Sequence, residues 1–275
     1  MSTLPTGDKQ ACLETTLRRL GRVAVAYSGG LDSTYLLAVA ADLLGAENVL
    51  AVTVDSELIP AHEVSLAREI ASRLGVEHQV LVLQALSNPD VAANPPDRCY
   101  YCKREVLRQV ATAAAARGFC HTLHGANRDD RADHRPGGRA AAELGARAPL
   151  DEAGLTKAEI RELSRRRGLS TWDRPSQACL ASRVPYGTPL TAETLERIGS
   201  AEEYLRDRVG LQAFRVRDHF PVARVEAPPA CWPALLAEEA RAALLAEFRR
   251  LGYLYVALDL AGLRSGSMND ALVSS

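Results

Sequence analysis

The stretch "RVAVAYSGGLDSTYLLAVAADLLG", Arg22 to Gly45, constrains the fold more than any other part of the chain. A short valine-rich run reads as a buried strand, "SGG" as a tight glycine turn, and the long apolar run after it as a helix. The same alternation continues downstream. "NVLAVTV" is a second strand ending at Asp55. In "AHEVSLAREIASRLG" the apolar residues Val64, Ala67, Ile70, Ala71 and Leu74 fall at helical spacing, with Gly75 as the stop. "HQVLVL" is a third strand, Lys103 to Arg117 is compatible with a helix, and "HTLHG" is a fourth strand. Strands alternating with helices at this spacing predict an α/β fold, a doubly wound parallel sheet built from βαβ units.

The second half reads differently. "TKAE", Thr156 to Glu159, is a capping box opening a helix to about Arg167. From Thr171 to Leu190 no period is visible, and a stretch of that length without regular structure is usually functional or disordered. Beyond it come a helix (Ala192 to Val209), two strands (Phe214 to Asp218 and Val222 to Glu226), a helix (Pro233 to Leu251) and a strand (Tyr253 to Leu258), with "GSMNDALVSS" as a loose tail. The change of pattern predicts two domains, 1–185 and 186–275, the second a smaller α+β unit.

Composition excludes some classes of function. The formal charge is −1, from 33 basic and 34 acidic residues, which argues against a nucleic-acid partner. The longest apolar run, "TYLLAVAADLLGA", is interrupted by Asp42 and is too short to span a bilayer. The opening "MSTLPTGDKQ" lacks a cationic start followed by an apolar run, so no secretory leader and a cytoplasmic location are expected. In a reducing compartment the six cysteines are expected to be thiols, metal ligands or catalytic groups rather than a disulfide framework.

"SGGLDS", Ser28 to Ser33, lies between the first strand and its helix. Two glycines let backbone amides approach an oxyanion, and the helix N-terminus adds donors and a positive dipole. The pattern G-x-x-x-x-G-K-[ST] is absent, so no lysine grips a γ-phosphate here. A plain turn would look similar, but a position at the carboxyl end of the first strand favours a ligand site. In "HGANRDD", His124 to Asp130, the acidic pair fits either a site or a solvated loop.

Ser-Gly-Gly-Leu-Asp-Ser after a strand resembles the PP-loop ATP pyrophosphatases. The resemblance implies that Ser28, Gly29, Gly30, Asp32 and Ser33 hold pyrophosphate, that adenosine lies across the strand ends near Ala26 and Val54, and that Gly125, Asn127 and Asp130 approach AMP and Mg2+. ATP is then the cofactor, and the α-phosphorus passes to a substrate oxygen. Over nearly the whole chain, "NRDDRADHRPGGRAAAELGARAPL", "RPSQACLASRVPYG", "RVRDHFPVARVE" and "ALDLAGLRSGSMN" resemble the LarE family. That family converts the carboxylates of a pyridinium mononucleotide to thiocarboxylates for a nickel-pincer nucleotide, and it suggests a hexamer. The source of sulfide is unknown.

The remaining candidates follow from both readings. In "FRVRD", Arg215 and Arg217 alternate with Phe214 and Val216, so a strand would present both guanidinium groups on one face, suited to phosphate or carboxylate but equally to solvent. The resemblance adds Arg183 and Glu203 as substrate contacts. Cys99, Cys102 and Cys179 match the branch of the family in which three cysteines hold a [4Fe-4S] cluster with a labile sulfide; in the other branch one cysteine, here Cys179, gives up its own sulfur. A zinc site would want a fourth ligand, and a redox Cys-x-x-Cys would leave Cys179 without a role. Cys120 is expected in the core of the fourth strand, Cys12 in an N-terminal helix and Cys231 between prolines. The competing functions are tRNA thiolation, an amide-forming synthetase using ammonia, and a nucleotide-binding regulator without turnover.

Overall fold

The computed structural model describes residues 5–131, 136–175, 178–264 and 266–269. Residues 132–135 of the stretch that begins at Asn127, Ser176 and Gln177 before Cys179, and most of the expected tail lie outside the described residues. Among the described residues no helix is long and apolar enough to cross a membrane. The chain divides into two compact units, Met1–Ala85 with Asp97–Gln177, and Leu86–Pro96 with Ala178–Ser275. The division thus falls before residue 185, and an upstream segment joins the second unit. Asn94 explains that membership: its side-chain amide donates to the carbonyls of Pro185 at 2.8 Å and Thr188 at 3.0 Å.

The first unit contains α1 (Thr6–Leu20), α2 (Leu31–Leu44), α3 (Ala61–Arg73), α4 (Arg98–Ala115), α5 (Pro136–Glu143) and α6 (Lys157–Arg166). Its strands β1 (Val23–Ala26), β2 (Val49–Asp55), β3 (Glu77–Val82) and β4 (His121–His124) form a wholly parallel sheet in the order β3-β2-β1-β4. The side-chain period of two sends Val23 and Val25 into a core with α1, α2 and α3, while Ala24 meets Val110 and Ala114 of α4 on the opposite face. Both faces of β1 and β2 are therefore covered, which is why those strands read as continuous apolar runs. Helix α2 buries Tyr35, Leu36, Leu37 and Val39 completely, and burial of each such side chain stabilises by roughly 1.5–3 kcal/mol.

The second unit contains α7 (Ala192–Asp207), α8 (Trp232–Leu236), α9 (Glu238–Arg250), and the strands β5 (Arg215–His219), β6 (Val222–Glu226) and β7 (Tyr255–Leu258). The sheet order is β5-β6-β7, antiparallel between the first two and parallel between the last two. Its core gathers Leu205, Val216, Val225, Leu244, Phe248 and Tyr253. Three local readings need correction. The single helix expected from Pro233 to Leu251 is broken at Ala237, whose ψ of 137° is extended. The helix expected from Lys103 begins at Arg98, placing Cys99 in its first turn and Cys102 one turn further on. Cys120 is exposed, because β4 begins only at His121.

Candidate functional site

The chain leaves β1 toward β2 and returns to pair β4 on its other side, so the strand order reverses between β1 and β4. Open α/β sheets bind ligands outside the carboxyl ends of strands at such a point. Both polar segments singled out in the sequence are there: Ser28 to Ser33 follows β1, and Gly125 to Asp130 follows β4. Ala26 ends β1, level with Val52 and His124, and Val54 lies near the end of β2.

The glycine loop is preshaped. Gly29 has φ +72°, in the left-handed region, and a Cβ there would come within 3.1 Å of the Ala67 Cβ on α3. Gly30 caps α2 in extended conformation, leaving the first-turn amides of that helix without intrahelical acceptors. The Ser28 and Ser33 hydroxyls lie 3.1 Å apart, and the Ser33 hydroxyl also receives the Ser28 amide at 3.3 Å. On the other side, a Cβ at Gly125 would lie 2.8 Å from the Ser33 nitrogen. Only glycine lets the chain after β4 lie this close to the first turn of α2.

The acidic segment is tied to the same turn. Asn127 donates its side-chain amide to Asp32 Oδ1 at 3.3 Å, and its backbone amide to Asp130 Oδ2 at 3.0 Å. Asp129 accepts from the Lys157 amide at 2.9 Å, securing the segment to the start of α6. Burial pushes the Asp32 carboxyl above its ordinary range; Lys157 opposes that push and Asp130 adds to it. Two carboxylates facing one another in this way favour a bound cation or a developing cationic centre. His124, buried at the end of β4, is pushed down to about 4 by desolvation and the charge of Lys103, so it is neutral near pH 7.

Two side chains absent from the sequence reading complete this site. Arg174 donates Nη1 to the Gly29 carbonyl at 3.2 Å and Nη2 to Glu63 Oε1 at 2.8 Å. Glu63 also faces His62 Nε2 at 3.0 Å. Burial works to raise the Glu63 pKa, but the contacts with His62 and Arg174 outweigh it and hold the carboxyl below its usual range. Glu63 was legible in principle, since it shares the apolar stripe of α3 with Ala67 and Ile70. No pattern in the irregular segment marks Arg174.

The second unit holds the other candidates. Arg183 is 1 % exposed and engages Glu202 bidentately, Nε to Oε1 at 2.8 Å and Nη2 to Oε2 at 3.0 Å. Its Nη1 donates to the carbonyls of Ala178 at 2.9 Å and Cys179 at 3.4 Å. Arg183 therefore fixes the backbone that carries Cys179. Glu203 is exposed, whereas its neighbour Glu202 points inward and also accepts the Val216 amide at 3.0 Å. Arg217 is paired bidentately with the buried Glu226, at 2.9 and 3.0 Å, and donates to the Ser182 carbonyl and to Ser267 Oγ. Its fork is thus filled by the protein. Arg215 makes no ion pair among the described residues; it donates Nη1 to the Arg264 carbonyl at 3.0 Å. Burial above all, then the charges of Arg217 and Arg183 against the opposing pull of Glu226 and Glu202, hold the Arg215 pKa below the usual range.

All six cysteines are thiols. Cys99, exposed, and Cys102, half-buried, lie one helical turn apart on α4 in the first unit, and Cys179, half-buried, is in the second. Among the described residues no group of three His, Cys, Asp or Glu side chains is gathered to hold a metal.

A parallel sheet with a glycine cradle and an Asn-Asp segment at its switch point defines a nucleotide-site domain of the PP-loop class. The asparagine synthase family model matches residues 10–116. The chain is 40% identical over its full length to pyridinium-3,5-bisthiocarboxylic acid mononucleotide synthase of Lactiplantibacillus plantarum, covering 98% of that protein. It belongs to that synthase's family, the LarE family. An uncharacterised protein of Synechocystis is 42% identical over 253 residues, 92% of this chain and 94% of its own. A shorter likeness, 36% over 114 residues, links 38% of this chain to 28% of an argininosuccinate synthase of Halobacterium salinarum.

Proposed function

We propose that this protein is an ATP-dependent, adenylating sulfurtransferase that converts the carboxylates of pyridinium-3,5-biscarboxylic acid mononucleotide to thiocarboxylates. The observation that carries this reading is the facing of the glycine loop and the Asn127–Asp130 segment at one strand switch point, in a chain of this family. A carboxylate is a poor acyl donor because its leaving group would be oxide. Attack of the carboxylate oxygen on the α-phosphorus of ATP forms a mixed anhydride and releases pyrophosphate. Sulfur then attacks the acyl carbon, the bond to the AMP oxygen breaks, and thiocarboxylate and AMP leave. Each carboxylate converted uses one ATP.

In this reading the amides of Gly30 and the first turn of α2, with the Ser28 and Ser33 hydroxyls, hold the β- and γ-phosphates as they become pyrophosphate. Asp32 and Asp130 would hold Mg2+, which when bound would offset the phosphate charge. Ala26 and Val54 flank the adenosine, and Gly125 and Asn127 approach AMP. Arg215 is the cation of the second unit best suited to the anionic mononucleotide, with Arg217 and Arg183 close to it, and the family resemblance adds Glu203 as a further contact. Sulfur is delivered at Cys179, whose backbone Arg183 holds.

Cys99, Cys102 and Cys179 would hold the proposed [4Fe-4S] cluster, and the thiol pair on one turn of α4 favours it; bound there, it would supply a labile sulfide. The alternative is sacrifice of the Cys179 sulfur itself. The test is anaerobic incubation of purified protein with ATP, Mg2+ and the dicarboxylate, measuring AMP, pyrophosphate and product mass. Substrate-dependent pyrophosphate release and exchange of oxygen for sulfur are expected. No release with the authentic substrate would remove the proposal. Iron and sulfide analysis, with the mass of Cys179 after turnover, separates the sources: dehydroalanine in an iron-free protein rejects the cluster.

A further inference from the structure

We infer that Arg174 is a positioning residue for the phosphate loop: it holds the Gly29–Gly30 peptide so that the Gly30 amide faces the oxyanion cradle. The inference rests on the proposed nucleotide reading and adds to it a residue outside the loop. A trans peptide is planar, and its carbonyl and amide point in opposite directions. Arg174 Nη1 holds the Gly29 carbonyl at 3.2 Å, so the Gly30 amide across the same bond turns the other way. Within the loop that amide has only a long contact to Ser28 Oγ, 3.4 Å, which leaves it to an incoming anion.

The guanidinium is itself anchored. Nη2 engages Glu63 Oε1 at 2.8 Å, and the Glu63 side chain is 8 % exposed. Glu63 and Ala67 stand one turn apart on α3, and Ala67 is the residue that a side chain at Gly29 would strike. Arg174 therefore joins helix α3 to the loop peptide that follows the left-handed glycine. Gly29, at φ +72°, gives that peptide freedom to rotate, and freedom must be removed for a preorganised anion site. The guanidinium also brings a positive charge beside a loop that contains no lysine. A lysine at this position would keep the charge but could not bridge carbonyl and carboxylate with a planar fork.

The prediction is a split between the two halves of the nucleotide. Arg174 bonds to the loop that holds pyrophosphate, whereas its side chain makes no hydrogen bond to Ala26 or Val54, the residues assigned to adenosine. Titration calorimetry with Mg2+–pyrophosphate, ATP and AMP should show pyrophosphate and ATP affinity falling by about 10-fold or more in Arg174→Ala, with AMP affinity unchanged. Arg174→Lys should lie between the two, and Glu63→Gln should show a smaller loss with the same split. Should Arg174→Ala fail to fold, those two milder variants carry the test. Wild-type affinity for pyrophosphate in Arg174→Ala, or equal loss of pyrophosphate and AMP, would overturn the inference. Wild-type protein that binds neither ATP nor pyrophosphate would instead overturn the nucleotide reading beneath it.

Discussion

His124 shows how one buried side chain ties stability to the site. Its imidazole is held down to about 4 from an ordinary 6.5, first by burial and then by Lys103. The unfolded chain takes up a proton in that interval and the folded chain does not. The stabilisation is complete above about pH 6.5 and is lost as the pH falls toward 4. At about 1.4 kcal/mol per unit, the loss approaches roughly 3 kcal/mol. Urea unfolding at neutral pH and near pH 4.5 should show a steep decline in wild type and a shallower one in His124→Gln; equal slopes would remove histidine as the cause. The residue scale is also where the sequence was hardest to read. Arg215 and Arg217 were legible as a same-face pair, but not which fork is taken, because Glu226 reaches Arg217 only through the β5–β6 register. Glu202 could have been preferred to Glu203, since it shares the buried face of α7 with Ile198 and Leu205.

At the scale of elements, local chemistry written in the chain decided the outcome wherever it was strong. Thr156 and Glu159 form the expected capping box, with the Thr156 amide donating to Glu159 Oε2 at 2.9 Å. What the motif did not disclose is that Glu159 also receives Lys9 Nζ at 2.8 Å and Thr6 Oγ1 at 2.9 Å, so the box docks α1 onto α6. Burial works against the Glu159 charge, but Lys9, Thr156 and Thr6 together pull its pKa down to about 2. That stability is present above the usual carboxylate range and is lost only as the pH falls toward 2. Thr156→Ala should cost about 1 kcal/mol, the usual value of a lost cap. Glu159→Ala should cost more, roughly 3 kcal/mol, because Lys9 is left buried without its carboxylate. Thermal melts at neutral pH test the order, and equal losses would mean that Lys9 contributes nothing. The break at Ala237 had no comparable signal, since alanine favours helix and only tertiary context turns it out.

At the scale of the whole molecule, alternation of strand and helix made the first unit legible, and in the second the long helix and the three strands were legible but not where the unit begins. The irregular stretch from Thr171 to Leu190 is where that reading lost the boundary, because its order comes from partners distant in sequence. Arg183 holds the Ala178 and Cys179 carbonyls, and its own charge is met by Glu202 on α7. Residues 178–185 are therefore part of the second unit, and a cut at 185 removes the only cation paired with Glu202 among the described residues. Two fragments expose the difference. Residues 178–275 and 186–275 both contain α7, α9 and the strands β5 to β7. The shorter one strands a carboxylate that is 8 % exposed, and breaking such a buried pair costs about 3–5 kcal/mol. Urea denaturation followed by circular dichroism should find the longer fragment more stable by that order, and Glu202→Gln in the shorter should recover part of the loss by removing the unpaired charge. Equal midpoints for the two fragments would show that the arginine contributes no stability to this unit.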